Sequence, residues 1–355
     1  MHYTDYCDSG IYESALVYEN ALGETIPIRY VPPLEEFPAP LAGGKAGQTE
    51  RQAGQARQAG LFFKSAKPYF FIAPAFLFIL FWLYRPLAGN FYYAFTQWAM
   101  VPGTRPQWVG INNFLRFTGS KDFGIAISNT VFYTLGLLPF SVVIPLFLAA
   151  VSNQLPPRVK NIYRIILFVP MIMAPVSAAA IWRWLLHPSN GLVNLILRAL
   201  NITSSNVAFF SDPAAARIAI LVITGWKMTG FGTLIFSAAL AGIDSMYYQA
   251  ASLDGASNRR MFLSITIPLV SPSIMLMVMM SILFASQWTF TYIDILSGGG
   301  PFGRSTNIYY EMYKYGFQNL DVGMSSAAAN LFLAVFGCIG LLLSQLSKGL
   351  SFYDN

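Results

Sequence analysis

The sequence predicts an all-α, polytopic membrane protein with six transmembrane helices, and three observations lead there. Of 355 residues, 55% are hydrophobic and only 11% charged, with a mean hydropathy of +0.50; soluble domains carry about 25% charged residues. Beyond Pro68 lie apolar stretches at roughly 69–96, 126–151, 162–186, 216–242, 270–295 and 324–347. Each reaches the ~20 residues that a helix rising ~1.5 Å per residue needs to cross ~30 Å of hydrocarbon. Lys and Arg, finally, gather at alternate ends of those stretches.

Residues 1–67 come first and are expected to form a flexible cytoplasmic tail. They are rich in Gly, Ala, Pro, Gln and Glu, and Arg51-Gln-Ala-Gly recurs at Arg57-Gln-Ala-Gly. Such a segment buries too little apolar surface to offset its ordering entropy. A docking or regulatory role stays open, because Ile11, Leu16 and Val17 could line one short amphipathic helix. The tail opens on polar, partly acidic residues rather than a basic patch followed by an apolar run, so no signal peptide is expected.

The six stretches, within a membrane domain covering 68–350, then alternate across the bilayer and return both ends to one side, with 351–355 a short cytoplasmic end. Lys64 and Lys67, Arg158, Lys160 and Arg164, Arg259 and Arg260, and Lys348 fall on one set of ends. Arg105, Arg116, Lys121, Arg198, Arg304 and Lys314 are spread more thinly over the other. Positive residues favour the cytoplasmic side, which places both termini inside. Trp98, Trp108, Trp182 and Trp184 fall at the opposite boundary, where amphipathic rings anchor in the headgroup layer.

Several chemistries are excluded or left without support. The net charge of +6 is scattered among loops instead of forming the stripe that nucleic acid requires. Cys7 and Cys338 are too far apart in character for a disulfide framework or a metal cluster. His2 and His187 offer no catalytic pairing. No Gly-x-x-x-x-Gly-Lys-Ser/Thr loop occurs, since Gly43-Gly-Lys-Ala-Gly has the wrong spacing, so any nucleotide must bind another chain. Leu296-Ser-Gly-Gly-Gly300 before Pro301 is expected to be a turn.

Between the fourth and fifth stretches, residues 243–268 carry the most informative pattern. Tyr247–Leu253 should form a short helix ending at Asp254-Gly255, where glycine accepts a positive φ. A second short helix should place Met261, Phe262 and Ile265 on one side and leave Arg259 and Arg260 for water or another protein. Pro268 is expected to close it.

Here the sequence resembles the permeases of binding-protein-dependent ABC importers, whose loop reads Glu-Ala-Ala, three residues, Gly, nine residues, then Ile-x-Leu-Pro. Ala250, Ala251, Asp254, Gly255, Ile265 and Pro268 match in register, while Gln249 replaces the Glu and Ile267 the Leu. Ala73-Pro-Ala-Phe-Leu, Ser128-Asn-Thr-Val, Phe168-Val-Pro170 and Gly298-Gly-Gly-Pro301 extend the resemblance to the carbohydrate-type branch, over roughly 68–350. It implies a type I ABC importer permease fold in a bacterial inner membrane. Gln249, Ala250, Ala251, Asp254, Gly255, Ala256, Arg259, Arg260 and Phe262 would couple to an ATPase. It also implies a second homologous permease, an ABC ATPase dimer that holds the ATP and Mg, an extracytoplasmic solute-binding protein, surrounding membrane lipid, and no bond chemistry or cofactor in this chain.

Polar groups inside spans are costly and mark candidate sites. Trp226, Lys227 and Phe231 in the fourth span, and Ser286, Gln287, Trp288, Thr289 and Tyr292 in the fifth, are the expected solute contacts. Aromatic faces and amide or hydroxyl groups together suit a sugar or related solute, and by resemblance both stretches align with sugar-contacting segments. Ordinary interhelical hydrogen bonding is the alternative for each. Lys227 could meet an anionic solute, pair with Asp294 or snorkel. Two rival functions are a secondary transporter or channel, which would favour paired broken helices in repeated halves, and a membrane enzyme, for which Asp244 and Asp294 are too isolated.

Overall fold

The computed structural model describes residues 17–19, 25–27, 69 and 71–350. Two units divide the chain, Met1–Leu77 and Phe78–Asn355. In the first, β1 (Val17–Glu19) pairs antiparallel with β2 (Thr25–Pro27), setting Tyr18 opposite Ile26. Val17, expected on an amphipathic helix, therefore lies in an extended strand. Ile11, Leu16, most of the expected tail and residues 351–355 lie outside the described residues.

Among the described residues, five helices are long and apolar enough to cross a bilayer: α1 (Phe71–Tyr93), α3 (Lys121–Asn153), α7 (Pro213–Ala241), α10 (Ser271–Ser297) and the last one, apolar over Val322–Ser347. Their bounds follow the apolar stretches because a helix in hydrocarbon must satisfy every backbone group within itself. Short polar connectors separate them, among them α2 (Asn112–Thr118). Asp212 starts α7 by accepting the Ala215 N–H at 2.7 Å, and Pro213 follows at a position where its missing N–H costs nothing.

The third stretch departs from expectation. Instead of one helix over 162–186, the chain forms α4 (Pro157–Ile172) and α5 (Pro175–Leu185), bent by 97° at Met173 and Ala174. The cause is local. Pro175 clashes with a helical residue before it, and Ala174 accordingly sits at φ −56°, ψ 134° with Met173 similarly extended. The pair is one broken span or a re-entrant segment.

α7 is the hub, packed against α3, α4 and α10. In lipid no hydrophobic effect drives helices together, so close approach of small residues does. A Cβ at Gly225 would run into the Phe140 ring, and one at Gly230 into the Leu167 carbonyl oxygen. At Gly232 it would come 2.8 Å from Pro145 and from the Ser141 carbonyl oxygen. Buried Leu137, Met228, Phe236 and Met277 fill the space between these helices.

At the end of the bundle remote from the 243–268 loop, α6 (Leu192–Ala199), α11 (Ile308–Tyr313) and the connectors form a polar-anchored cap. The glycine run turns as expected, with Gly298 at φ +57° and Gly299 at φ +80°. Asn129 Nδ2 donates to the Arg304 and Thr306 carbonyls at 2.8 and 2.7 Å, and the Tyr133 hydroxyl to the Ser305 carbonyl at 3.0 Å. The Ser128-Asn-Thr-Val motif thus holds the connector after α10. The last described helix is α12 (Val322–Leu350).

Candidate functional site

A cavity of about 680 Å³ lies between the α4–α5 break, the middle of α7 and the second half of α10. Met171 to Pro175 form one wall, Thr224, Lys227, Met228 and Phe231 a second, and Met280, Gln287, Trp288, Phe290, Thr291 and Tyr292 a third, with Tyr309 beside them. The volume is in the range of small-molecule sites, which bury most of their ligand against apolar walls with a few placed polar groups.

Lys227 is the central residue of α7, fourteen positions from each end. Its Nζ donates to the Met173 carbonyl at 2.7 Å. That carbonyl lies at the break, where the helical ladder is interrupted. Lys227 neither pairs with Asp294 nor snorkels to an aqueous boundary; it caps the bend. Trp288 stacks on Phe284, centroids 5.7 Å apart at 28°, which leaves its other face for the cavity side. Tyr292 is buried, and its hydroxyl finds no partner among the described residues.

Of the expected solute contacts, the structure brings Lys227, Phe231, Gln287, Trp288 and Tyr292 together around this cavity. Trp226 faces elsewhere, packing edge-on against Trp182 at 5.6 Å. Ser286 and Thr289 are fully buried off the lining: Asn307 Nδ2 donates to the Ser286 carbonyl at 2.9 Å and to Thr289 Oγ1 at 2.8 Å. Sequence reasoning missed Met171 to Pro175, Thr224, Met280 and Tyr309. The Ala174-Pro175 dipeptide was the available signal for the break.

The 243–268 loop folds into a two-helix knob. α8 (Ser245–Leu253) is capped by Asp244, which accepts the Met246 N–H at 2.9 Å. Gly255 turns the chain at φ +73°. α9 (Asn258–Met261) starts at Ser257, whose hydroxyl accepts the Arg260 N–H at 3.4 Å, and runs on in wider turns through Thr266 to Leu269. Pro268 does not close it; the chain turns at Val270, φ −92°, ψ 3°.

Tyr248 and Thr266 share a 2.8 Å hydroxyl contact that ties the two helices. Phe262 packs into the core below α7 and α10, whereas Gln249, Ala250, Asp254, Gly255, Arg259 and Arg260 are exposed, with Ala251 and Ala256 half-buried. Leu253 is 89% exposed, a large apolar side chain offered outward from a rigid turn. Among the described residues no group of His, Cys, Asp and Glu could hold a metal ion.

Residues 126–350 match the family model for the binding-protein-dependent transport system inner membrane component. The chain is 29% identical over 243 residues to the sn-glycerol-3-phosphate transport system permease protein UgpA of Yersinia pestis, covering 68% of this chain and 80% of that one. It is 29% identical over 290 residues to the probable ABC transporter permease protein YesP of Bacillus subtilis, covering 81% and 92%. Its fold is similar to a chain of a bacterial ABC transporter involved in the import of the acidic polysaccharide alginate, with TM-score 0.74 and 24% identity over 83% of this chain and 100% of that one. A second structure of an alginate ABC transporter, in complex with an alginate pentasaccharide-bound periplasmic protein, superposes with TM-score 0.71 and 25% identity, over 81% and 96%.

Proposed function

The chain belongs to the binding-protein-dependent transport system inner membrane components, and on that premise we propose that it is the permease subunit of an ATP-driven importer. It passes a sugar, oligosaccharide or related solute from an extracytoplasmic binding protein to the cytoplasm. One observation carries this reading. The two-helix knob is the direct connector between α7 and α10, the helices that bear Lys227 and Trp288 on the cavity wall. A displacement of the knob is therefore a displacement of both walls.

In this mechanism an ATPase dimer, which holds the ATP and Mg, grips the exposed Gln249–Arg260 surface. Closure of the dimer on nucleotide moves the knob as a rigid body, because Tyr248, Thr266 and Phe262 fix it internally and to the core. Nucleotide favours one orientation of α7 and α10 only through its preference for the closed dimer. With Gln at position 249 in place of Glu, the contact relies on shape, the apolar Leu253 tip and hydrogen bonds, flanked by Arg259 and Arg260. The solutes named for similar chains, sn-glycerol 3-phosphate and alginate, and the Trp288 face support a sugar or related solute as cargo. A second, similar permease would complete the pathway opposite this cavity.

Purification of the tagged chain with its natural partners, followed by ATP hydrolysis measured with each solute-loaded binding protein, tests the reading. The expected result is stimulated hydrolysis and nucleotide-dependent uptake. Uptake by this chain alone, driven by an ion gradient without nucleotide or partners, would replace it with a secondary transporter.

A further inference from the structure

Taking the importer reading as its basis, we infer that the cavity is built for a solute bearing a negative charge, a carboxylate or a phosphate, held by the Lys227 ammonium. The lining contains one cation, Lys227, and no acidic side chain. Lys227 stands at the centre of a membrane-crossing helix, where an ionised group is costly and persists when it serves a ligand or a pathway. Among the described residues its one hydrogen-bond partner is the neutral Met173 carbonyl, and no carboxylate there lies in salt-bridge range of it. An ammonium carries three donors, so two remain for a ligand.

A second, independent feature points to the same chemistry. The Tyr292 hydroxyl on the facing wall is buried and has no hydrogen-bond partner among the described residues. Buried hydroxyls are ordinarily bonded, and this one can donate. Gln287 adds an exposed amide on the same wall. Ammonium, phenol and amide together form a donor set that an anionic oxygen satisfies and that a neutral ring, held by Trp288 alone, leaves with its charge uncompensated. The Lys227 contact also gives the charge a mechanical consequence. An anion that draws Nζ away from Met173 releases the carbonyl at the 97° bend, so occupancy and the shape of the broken span change together.

The test uses the whole assembled transporter in lipid nanodiscs without its binding protein. Equilibrium binding of radiolabelled probes is measured in charged and neutral pairs: trigalacturonate against its methyl ester, and glucose 6-phosphate against glucose. In the wild type, at least one charged probe is expected to bind about tenfold or more tighter than its neutral counterpart, the factor a charge-assisted hydrogen bond confers. Which pair shows the difference separates carboxylate from phosphate. Lys227→Met should erase the preference and Lys227→Arg retain it, with assembly followed by size exclusion.

Equal affinities within both pairs, a preference that survives K227M, or no binding of either charged probe overturns the inference. So does a K227M loss confined to assembly, which would assign the ammonium to a carboxylate of the second permease. None of these results touches the importer reading, which stands or falls on stimulated ATP hydrolysis.

Discussion

Trp288 and Thr289 are consecutive on α10 and do different work: the indole faces the cavity, while the threonine hydroxyl receives Asn307 in a buried network. Trp288→Ala should lower solute uptake severalfold with the complex still assembling, read as transport against yield after size exclusion. Asn307→Ala should do the reverse. It strips a donor from Thr289 and the Ser286 carbonyl, costing about 1 kcal/mol or more of stability, which a thermal melt in detergent would register. Glu311 offers a pH test. Its carboxylate is 1% exposed and 3.2 Å from Lys314, which reaches Asp122 at 3.0 Å. Burial pushes the Glu311 carboxyl above its ordinary value, against the pull of Lys314. A carboxyl raised by folding stabilises fully below the ordinary carboxylate range, and that stability is lost as pH rises through its raised value. The melting temperature should therefore rise from neutral pH toward pH ~5 by a share that Glu311→Gln flattens.

Among elements, the broken span separates local from tertiary causes most clearly. Ala174 is extended because Pro175 follows it, and Lys227 then caps the freed Met173 carbonyl. Pro175→Ala removes the steric cause and lets the helical path return. Spin labels at the exposed positions Ile165 and Ile181 should then report a longer distance, and uptake should fall. An unchanged distance would assign the bend to packing alone. The knob is built on similarly local rules, with caps at Asp244 and Ser257 and a left-handed Gly255. Gly255→Pro forbids that backbone geometry. It should abolish stimulated ATP hydrolysis while membrane insertion, measured by alkali-resistant yield, stays normal; intact stimulation would count heavily against coupling through this loop.

For the molecule as a whole, sidedness is the property on which the mechanism depends. The distribution of Lys and Arg predicts a cytoplasmic knob, and the broken pair determines whether the described helices cross five or six times. Arg259→Cys in a background with Cys7 and Cys338 replaced should react with an impermeant maleimide only in inside-out vesicles. Labelling from the exterior would invert the topology and remove the ATPase contact. A sixth crossing keeps both termini on the knob's side; a re-entrant pair would separate them, which protease protection of terminal tags would show.

Five of the spans, the knob and its glycine turn were legible in the residues, because each depends on interactions within a few positions: apolar length, capping hydroxyls, a positive φ. The break was legible in principle in Ala174-Pro175 and was masked by the continuous apolar composition around it. The cavity was only half legible. The sequence by itself determined a helical membrane protein with a rigid loop between its fourth and fifth apolar stretches, and it singled out Lys227 and Trp288 as polar or aromatic groups out of place in lipid. Tertiary structure alone decided that Trp226, Ser286 and Thr289 turn away while Met173, Thr224 and Tyr309 turn in. Successive helical residues point ~100° apart, and only the glycine-set packing of α7 against its neighbours chooses which of those directions becomes the cavity.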